Sequence, residues 1–491
     1  MIALRPYQIT GVTQIRAAYS GGARAVLFVS PTGSGKTVVF CYIAQNARAR
    51  GTRTWILVHR EELLNQTSRA LDMLGVPHGL IAPGYTPSGE GIQVASVNTL
   101  VRRVENGRVG DVDLIVIDEA HHTTAGTWKR ILQARPKARL LGVTATPARL
   151  DGQGLGVHVG GVFDALVMGP SVRELIDDGY LCRPAVYAPP TGLDLSDVRM
   201  RGGDYATGEL VRRVDKPTIT GDAVAHYRKL CDGAPAIAFC ASVEHAKHVA
   251  HQFRAAGYQA ERIEGNMPDG QRRGLIDALG DGRLHVLTSC EIVSEGTDIP
   301  VVAAAILLRP TASMPLYLQQ VGRALRPVYP QGADLSTREG RLAAIAASIK
   351  PRAIILDHVG NVFRHGMPDE TREWTLDGKP RTPGKGKAQE PDIRVKQCPR
   401  CYAAHAPAPV CPACGYQYQP ENIAPRQVEG ELREVTEVQA ELLRRERRRE
   451  VGRAKTLDEL RAIAAARGYK PQWAEYVWKA RQRKQLTKLA L

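Results

Sequence analysis

Ser30-Pro-Thr-Gly-Ser-Gly-Lys-Thr37 follows directly on the apolar run Val26 to Val29 and opens a helical pattern, and that setting decides the fold. A short β-branched strand, a glycine-rich turn and a helix together make a phosphate-binding loop. Gly33 and Gly35 let backbone N–H groups curl around phosphate oxygens, Lys36 supplies a point charge, and Thr37 offers a hydroxyl to magnesium. Pro31, Thr32 and Ser34 complete the loop.

Further along, Leu114 to Ile117 forms a second strand that runs into Asp118-Glu-Ala-His121. Asp118 then stands at the carboxyl end of its strand, the edge at which α/β sheets bind ligands. One carboxylate can hold magnesium while its neighbour activates water, which assigns Asp118 to the metal and Glu119 to the base. Other short apolar runs, Thr54-Trp-Ile-Leu-Val, Leu140-Leu-Gly-Val-Thr, Ala236-Ile-Ala-Phe, Val286-Leu-Thr and Ala303-Ala-Ala-Ile-Leu-Leu, alternate with longer helical patterns. Continuous apolar strands belong to parallel sheets covered on both faces. They predict an α/β protein with two domains in tandem, 1–165 and 166–365.

The 491 residues are too many for one ordinary core, which agrees with two large domains and smaller appendages. A net charge of +16 favours a polyanionic partner, because Lys and Arg release counterions from phosphates. No basic-then-apolar leader opens the chain, and the apolar stretch Val301 to Leu308 is too short to span a bilayer, so a soluble cytoplasmic protein without a membrane partner is expected. Cys41, Cys182, Cys231, Cys240 and Cys290 are scattered and read as buried thiols. Cys398-Pro-Arg-Cys401 and Cys411-Pro-Ala-Cys414 are two CxxC turns nine residues apart, a spacing suited to four thiolates around zinc. The shell is then full, so the metal organises a small fold, and His405 is not needed as a ligand.

Composition divides the remainder. Residues 366–395, rich in Gly, Pro, Lys and Asp, read as a linker with a short hairpin around Trp374; 396–420 read as a zinc ribbon and 421–491 as a basic helical tail. In the tail, Val428 to Arg449 carries a charged helical pattern, and Thr456 with Glu459 predicts a capping box. Lys396, Arg400 and the run Arg444 to Arg449 read as a phosphate-binding surface, with the alternatives that the arginine run is a solvated helix face laced by charge pairs or a protein-docking arm.

The ordered set of motifs resembles the superfamily 2 helicases over about residues 1 to 360. Leu4-Arg-Pro-Tyr-Gln8 looks like the adenine-recognition motif, which implies that Gln8 reads the base edge and Arg5 packs on its face. Pro31 to Thr37 and Asp118 to His121 look like motifs I and II, and Thr144-Ala-Thr-Pro147 like motif III. Ser294-Glu-Gly-Thr-Asp298 resembles motif V, which adds Gly296 and Asp298 to the expected ATP site. Gln319-Gln-Val-Gly-Arg-Ala-Leu-Arg326 resembles motif VI, which adds Gln319 and makes Arg323 and Arg326 arginine-finger candidates that act across two RecA-like domains. Gln320 stands where the family commonly has arginine.

Val58-His-Arg-Glu-Glu62 and Ser96-Val-Asn-Thr99 resemble motifs Ia and Ib and imply sequence-independent phosphate contacts from Arg60, Ser96 and Thr99. The DEAH spelling and the Gly169-Pro-Ser-Val-Arg-Glu-Leu stretch are more similar to the DNA repair, recombination and type III restriction translocases than to RNA-remodelling relatives. Ile355-Leu-Asp-His-Val-Gly-Asn361 is similar to helicases carried by phages and prophages. The resemblance implies an ATP- and magnesium-dependent hydrolase that translocates on or remodels nucleic acid, with DNA favoured over RNA. An ATP-switched binding scaffold, an RNA helicase and a motor serving a nuclease in trans are the alternatives.

Overall fold

A computed structural model describes residues 4 to 418, apart from 87, 124–125, 148–153, 189–197, 202–203, 215–216, 266, 291–301, 378–394, 399, 402 and 407, and beyond them 454, 456–466, 474–475 and 477–478. The expected motif V, the charged helix Val428 to Arg449 and the Arg444 to Arg449 run lie outside the described residues. Met1–Tyr418 form one compact unit and Gln419–Leu491 a second.

The first domain runs α1 (Pro6–Ser20), β1 (Ala25–Val29), α2 (Lys36–Arg48), β2 (Thr54–Val58), α3 (Glu61–Met73), β3 (Gly79–Ile81), β4 (Ile92–Ser96), α4 (Val97–Glu105), β5 (Leu114–Asp118), α5 (Gly126–Ala134), β6 (Arg139–Thr144) and β7 (Ala165–Met168). Its strands lie in the order β3-β4-β2-β5-β6-β1-β7, all parallel. Val26 and Phe28 pack into one apolar cluster, Leu27 and Val29 into another. Both faces of β1 are therefore covered, which is why its spelling is apolar throughout. Because β6 separates β1 from β5, the carboxyl ends of three neighbouring strands bring together the phosphate loop, Thr144 and Asp118.

β7 pairs with β1 from Val26↔Ala165 to Val29↔Met168. The first sheet therefore extends past residue 165, and the chain leaves it at Gly169. Ser171 then starts α6 (Val172–Asp177) through a reciprocal cap with Glu174.

The second domain continues with β8 (Pro184–Tyr187), β9 (Met200–Arg201), β10 (Asp204–Tyr205), α7 (Thr207–Val214), α8 (Pro217–Cys231), β11 (Ala236–Phe239), α9 (Val243–Ala255), β12 (Ala260–Ile263), α10 (Asp269–Gly280), β13 (Val286–Ser289), β14 (Ala304–Leu307), α11 (Met314–Ala324), α12 (Arg338–Ala347), β15 (Ala353–Asp357), α13 (Asn361–His365), β16 (Lys396–Gln397) and β17 (Ala403–His405). The main sheet has the order β12-β13-β11-β14-β15-β8-β17-β16. It is parallel as far as β8, and the last two pairings are antiparallel. The cysteine-bearing hairpin is thus a continuation of the second sheet.

Residues 366–377, the start of the expected linker, form no strand and pack back on the first domain. Trp374 and Leu376 join the cluster that holds Phe163, and Gly156 N–H donates to Leu376 O at 3.0 Å, while Asp369 pairs with Arg173 of α6 at 3.0 Å. In the second unit, Thr456 and Glu459 cap α14 (Leu457–Ala466) reciprocally, at 3.3 and 3.2 Å, as the sequence predicts. Among the described residues no helix is long and apolar enough to cross a membrane.

Candidate active site

The phosphate loop bends through Gly33 (φ +87°) and Gly35 (φ +79°), left-handed conformations that glycine adopts without steric cost. Side chains brace the bend from below. Ser30 Oγ and Ser34 Oγ lie 2.8 Å apart, Tyr7 Oη donates to Ser34 O at 2.8 Å, and Lys36 Nζ donates to Pro31 O at 3.2 Å. Burial pushes the Lys36 pKa below the usual ammonium value, while Glu119 and Asp118 pull it back up.

Asp118 is buried at the end of β5, and its Oδ1 accepts from Glu119 N–H at 3.0 Å. Glu119 has φ +50°, the only positive φ outside glycine among the described residues. A side-chain-bearing residue held left-handed is strained, and such strain persists where geometry is needed for chemistry. His121 Nδ1 lies 3.4 Å from Glu119 Oε2 and 3.3 Å from Thr144 Oγ1. Thr144 Oγ1 already donates to Thr146 O at 2.9 Å, so His121 Nδ1 must carry the proton and donate. The expected base is thereby tied to the Thr144-Ala-Thr stretch on the adjacent strand.

The second domain reaches this site through α11. At Gly322 a Cβ would stand 2.7 Å from Thr32 Cβ, so only a glycine lets this helix lie on the phosphate loop. Leu181 approaches Gly33 in the same way, at 3.0 Å from where a Cβ would stand. One cavity of about 600 Å³ is lined from both domains: Thr32, Gly33, Gly35, Lys36, Thr37, Asp118 and Glu119 from the first, Gln319, Arg323 and Arg326 from the second. Burial pushes the Arg326 pKa down to about 10. Pro31 and Thr32 also line a smaller cavity of about 160 Å³, closed by Val321, Gly322 and Trp374.

At the far end of the large cavity the sequence foresees only Arg5 and Gln8. Arg5 lies over the Tyr180 ring at 5.0 Å, and Arg341 lies over the same ring at 4.2 Å. Tyr7 meets Tyr180 edge-on at 5.0 Å, and Tyr329 donates to Gly179 O at 2.5 Å. Gln8 is buried, with Oε1 accepting from Arg5 N–H at 2.9 Å and Nε2 donating to Ser34 O at 3.1 Å. Its amide therefore holds the loop to α1, and Arg5 with Tyr180 presents the flat surface. Tyr180, Tyr329 and Arg341 sit outside any motif, and only their position after the domain crossover brings them here.

Arg60, Ser96 and Thr99 stand at the starts of α3 and α4, on the same carboxyl edge of the first sheet, outside the large cavity. His59, at the end of β2, is 4.8 Å ring to ring from His122, which is 4.2 Å from His121. This chain of three rings runs from the motif Ia stretch to the expected base. Nothing in the spelling of His59 or His122 marks it.

The four clustered cysteines place their Sγ atoms within 4.8 Å of one another, with Cys398 to Cys414 at 3.6 Å and Cys401 to Cys411 at 3.7 Å. Zinc–sulfur bonds of about 2.3 Å in a tetrahedron require sulfurs about 3.8 Å apart, so the donor set fits that metal. His405 is occupied elsewhere, by Ala406 O and Tyr418 Oη, each at 2.7 Å.

Residues 1–149 match the family described as "Type III restriction enzyme, res subunit", and residues 222–328 match "Helicase conserved C-terminal domain". The chain is 32% identical over 395 residues to a 51.5 kDa protein of Lactococcus phage (isolate 7-9), covering 80% of this chain and 78% of that protein. It is 28% identical over 343 residues to a Saccharomyces cerevisiae protein named as an ATP-dependent helicase, IRC3, covering 66% of this chain and only 49% of the yeast protein. A solved fragment described as an HsdR subunit of a type I restriction enzyme from Vibrio vulnificus YJ016 superposes with a TM-score of 0.55 at 22% identity, covering 77% of this chain and 68% of that one. The last likeness concerns the fold alone.

Proposed function

The chain belongs to the superfamily 2 helicases, and from that membership we propose that it is a DNA-directed ATPase that translocates along or remodels strands. The contact of Gly322 with Thr32 is the observation that carries this reading, because it puts cations of one domain over the phosphate loop of the other. ATP bound there draws the domains together and hydrolysis releases them, so each turnover moves one domain relative to the other.

In this reading Thr37 and Asp118 hold magnesium, which neutralises charge on the β- and γ-phosphates. Glu119 accepts the proton of the attacking water, and Lys36, Arg323 and Arg326 stabilise negative charge that develops on the transferred group. His121 stands between Glu119 and Thr144, close to the carboxylate of the first and hydrogen-bonded to the hydroxyl of the second, and so links the state of the base to the Thr144 stretch. Arg5, supported by Tyr180, packs on the adenine face. Arg60, Ser96 and Thr99 meet the backbone of the nucleic acid. Zinc on Cys398, Cys401, Cys411 and Cys414 fixes the hairpin that ends the second sheet.

DNA is favoured over RNA by the DEAH spelling and by the match to the restriction Res-subunit family. The similarity to a phage protein supports a phage-borne or prophage-borne chain at work in bacterial cytoplasm. The cysteine hairpin and the tail are the proposed docking region for a partner protein. The test is strand displacement on tailed, forked and branched DNA and on the matching RNAs. ATP-dependent displacement or remodelling of DNA is expected. Activity on RNA alone would overturn the preference for DNA, and hydrolysis unaffected by any nucleic acid would overturn the motor.

A further inference from the structure

The carboxyl end of α11 is held by a residue that belongs to none of the motifs. Lys350, between α12 and β15, is 1% exposed, and its ammonium donates to Arg326 O at 2.5 Å and to Val302 O. Cys182 closes on the same point from the crossover segment. Its Sγ donates to Lys350 O at 3.6 Å, and its N–H donates to Leu325 O at 2.7 Å. Two separated stretches of chain thus converge on the successive carbonyls of Leu325 and Arg326.

A buried ammonium costs several kcal/mol unless well paired, and among the described residues the groups facing this one are the Cys182 thiol and the Arg326 guanidinium, with no carboxylate. Burial accordingly pushes the Lys350 pKa down to about 8. A methionine of similar length would fill the space without that cost. What the lysine adds is two charge-assisted hydrogen bonds, one of them to the main chain of the residue whose side chain reaches the phosphate loop. Arg326 Cγ lies 3.5 Å from where a Gly33 Cβ would stand, so a small shift of its backbone carries the guanidinium away from the phosphates.

We propose that Lys350 is a positioning residue for ATP hydrolysis: it fixes the backbone of Arg326 so that the guanidinium meets the phosphates when the domains close. This rests on the reading of Arg326 as an arginine finger. A misplacement of about 1 Å can cost about a hundredfold in rate, so Lys350→Met should lower kcat by ten- to a hundredfold. The KM for ATP should change by less than about threefold, because the phosphate loop is untouched.

The deciding experiment is a double-mutant cycle on the full chain, with nucleic-acid-stimulated kcat, binding of a fluorescent ATP analogue and thermal melting read for Lys350→Met, Arg326→Ala and the pair. If Lys350 acts through Arg326, adding Lys350→Met to Arg326→Ala lowers kcat by less than about twofold. Multiplicative losses, or a folded Lys350→Met with kcat within twofold of wild type, would overturn the proposal. Lys350→Gln, an uncharged donor, is the second variant should the methionine fail to fold. If neither folds, the residue is a structural one and the proposal is overturned. Full activity of Arg326→Ala by itself would sink the arginine-finger reading, which separates that failure from a failure of Lys350 alone.

Discussion

Gly322→Ala should uncouple the two domains without unfolding either. The added methyl would stand 2.7 Å from Thr32 Cβ and 3.0 Å from Thr32 Cγ2, well inside contact distance, so α11 or the phosphate loop must retreat. Forcing a methyl into a packed contact costs about 1–3 kcal/mol. Within α11 itself the change is favourable by about 0.5–1 kcal/mol, because alanine is the better helix former. The two effects act on different equilibria: the second stabilises one domain, and the first opposes closure of the pair. Each 1.4 kcal/mol lost from closure is about a tenfold loss in the closed population, so kcat should fall by about ten- to a hundredfold. Steady-state ATP hydrolysis at saturating DNA reads the effect, and thermal melting controls for folding. A melting temperature within a few degrees of wild type with kcat reduced is expected. Wild-type kcat in a folded Gly322→Ala protein would refute the argument that α11 must lie on the loop.

Other perturbations separate the parts of the site. Lys36→Ala should weaken nucleotide binding and abolish turnover, whereas Glu119→Gln should bind an ATP analogue as wild type does and stop cleavage; equal binding defects would remove the division of roles. Arg323→Ala or Arg326→Ala should lower kcat by two or more orders of magnitude and leave nucleotide-free DNA binding within about threefold; a matching loss of DNA affinity would make this pair a strand-binding surface. Metal removal by a chelator should unfold the hairpin at β17 and expose the edge of β8, read as increased amide exchange at Val186 and Tyr187, with ATP hydrolysis largely kept; unchanged exchange there would contradict a structural metal. Lys350 also predicts a pH effect on stability. Its folded pKa, about 8, lies below the ordinary 10.5, so between those values the unfolded chain binds the extra proton. The burial cost is full below about 8 and is relieved as pH rises through that window, so wild type should gain stability relative to Lys350→Met on going from pH 8 to 10. A gap that stays constant would contradict the depressed pKa, and one that widens against wild type would reverse its sign.

The parts of the site that could be read in the sequence are those in which one short segment holds both the structural cue and the chemistry. The loop at Ser30 to Thr37 and the strand end at Asp118 are of that kind, since each follows an apolar run that fixes its edge of the sheet. The adenine end is different, because Tyr7, Tyr180 and the neighbouring pair Tyr329 and Arg341 come from three distant segments and meet only after the crossover folds. Gln8 was legible as a residue but not in its contacts, which are spent on the loop backbone. The β17 to β8 pairing joins strands of three and four residues across more than 200 positions, too short for periodicity to report. Trp374 lies in a stretch whose composition reads as a linker, yet it packs on the first domain, because one aromatic ring offers enough apolar area to anchor an otherwise polar segment. His59 and His122 were hidden for a simpler reason: ring contact across neighbouring strand ends leaves no spacing to find.

The central claim, that nucleic acid drives repeated ATP turnover through closure of two domains, is tested most directly by steady-state ATP hydrolysis with and without DNA in wild type, Glu119→Gln and Arg326→Ala. The account predicts many turnovers per chain that rise strongly with DNA, none in Glu119→Gln, and a residual DNA-insensitive rate in Arg326→Ala. A wild-type rate limited to a single turnover, or one that DNA and RNA both leave unchanged, would contradict it and favour a nucleotide-switched binding scaffold.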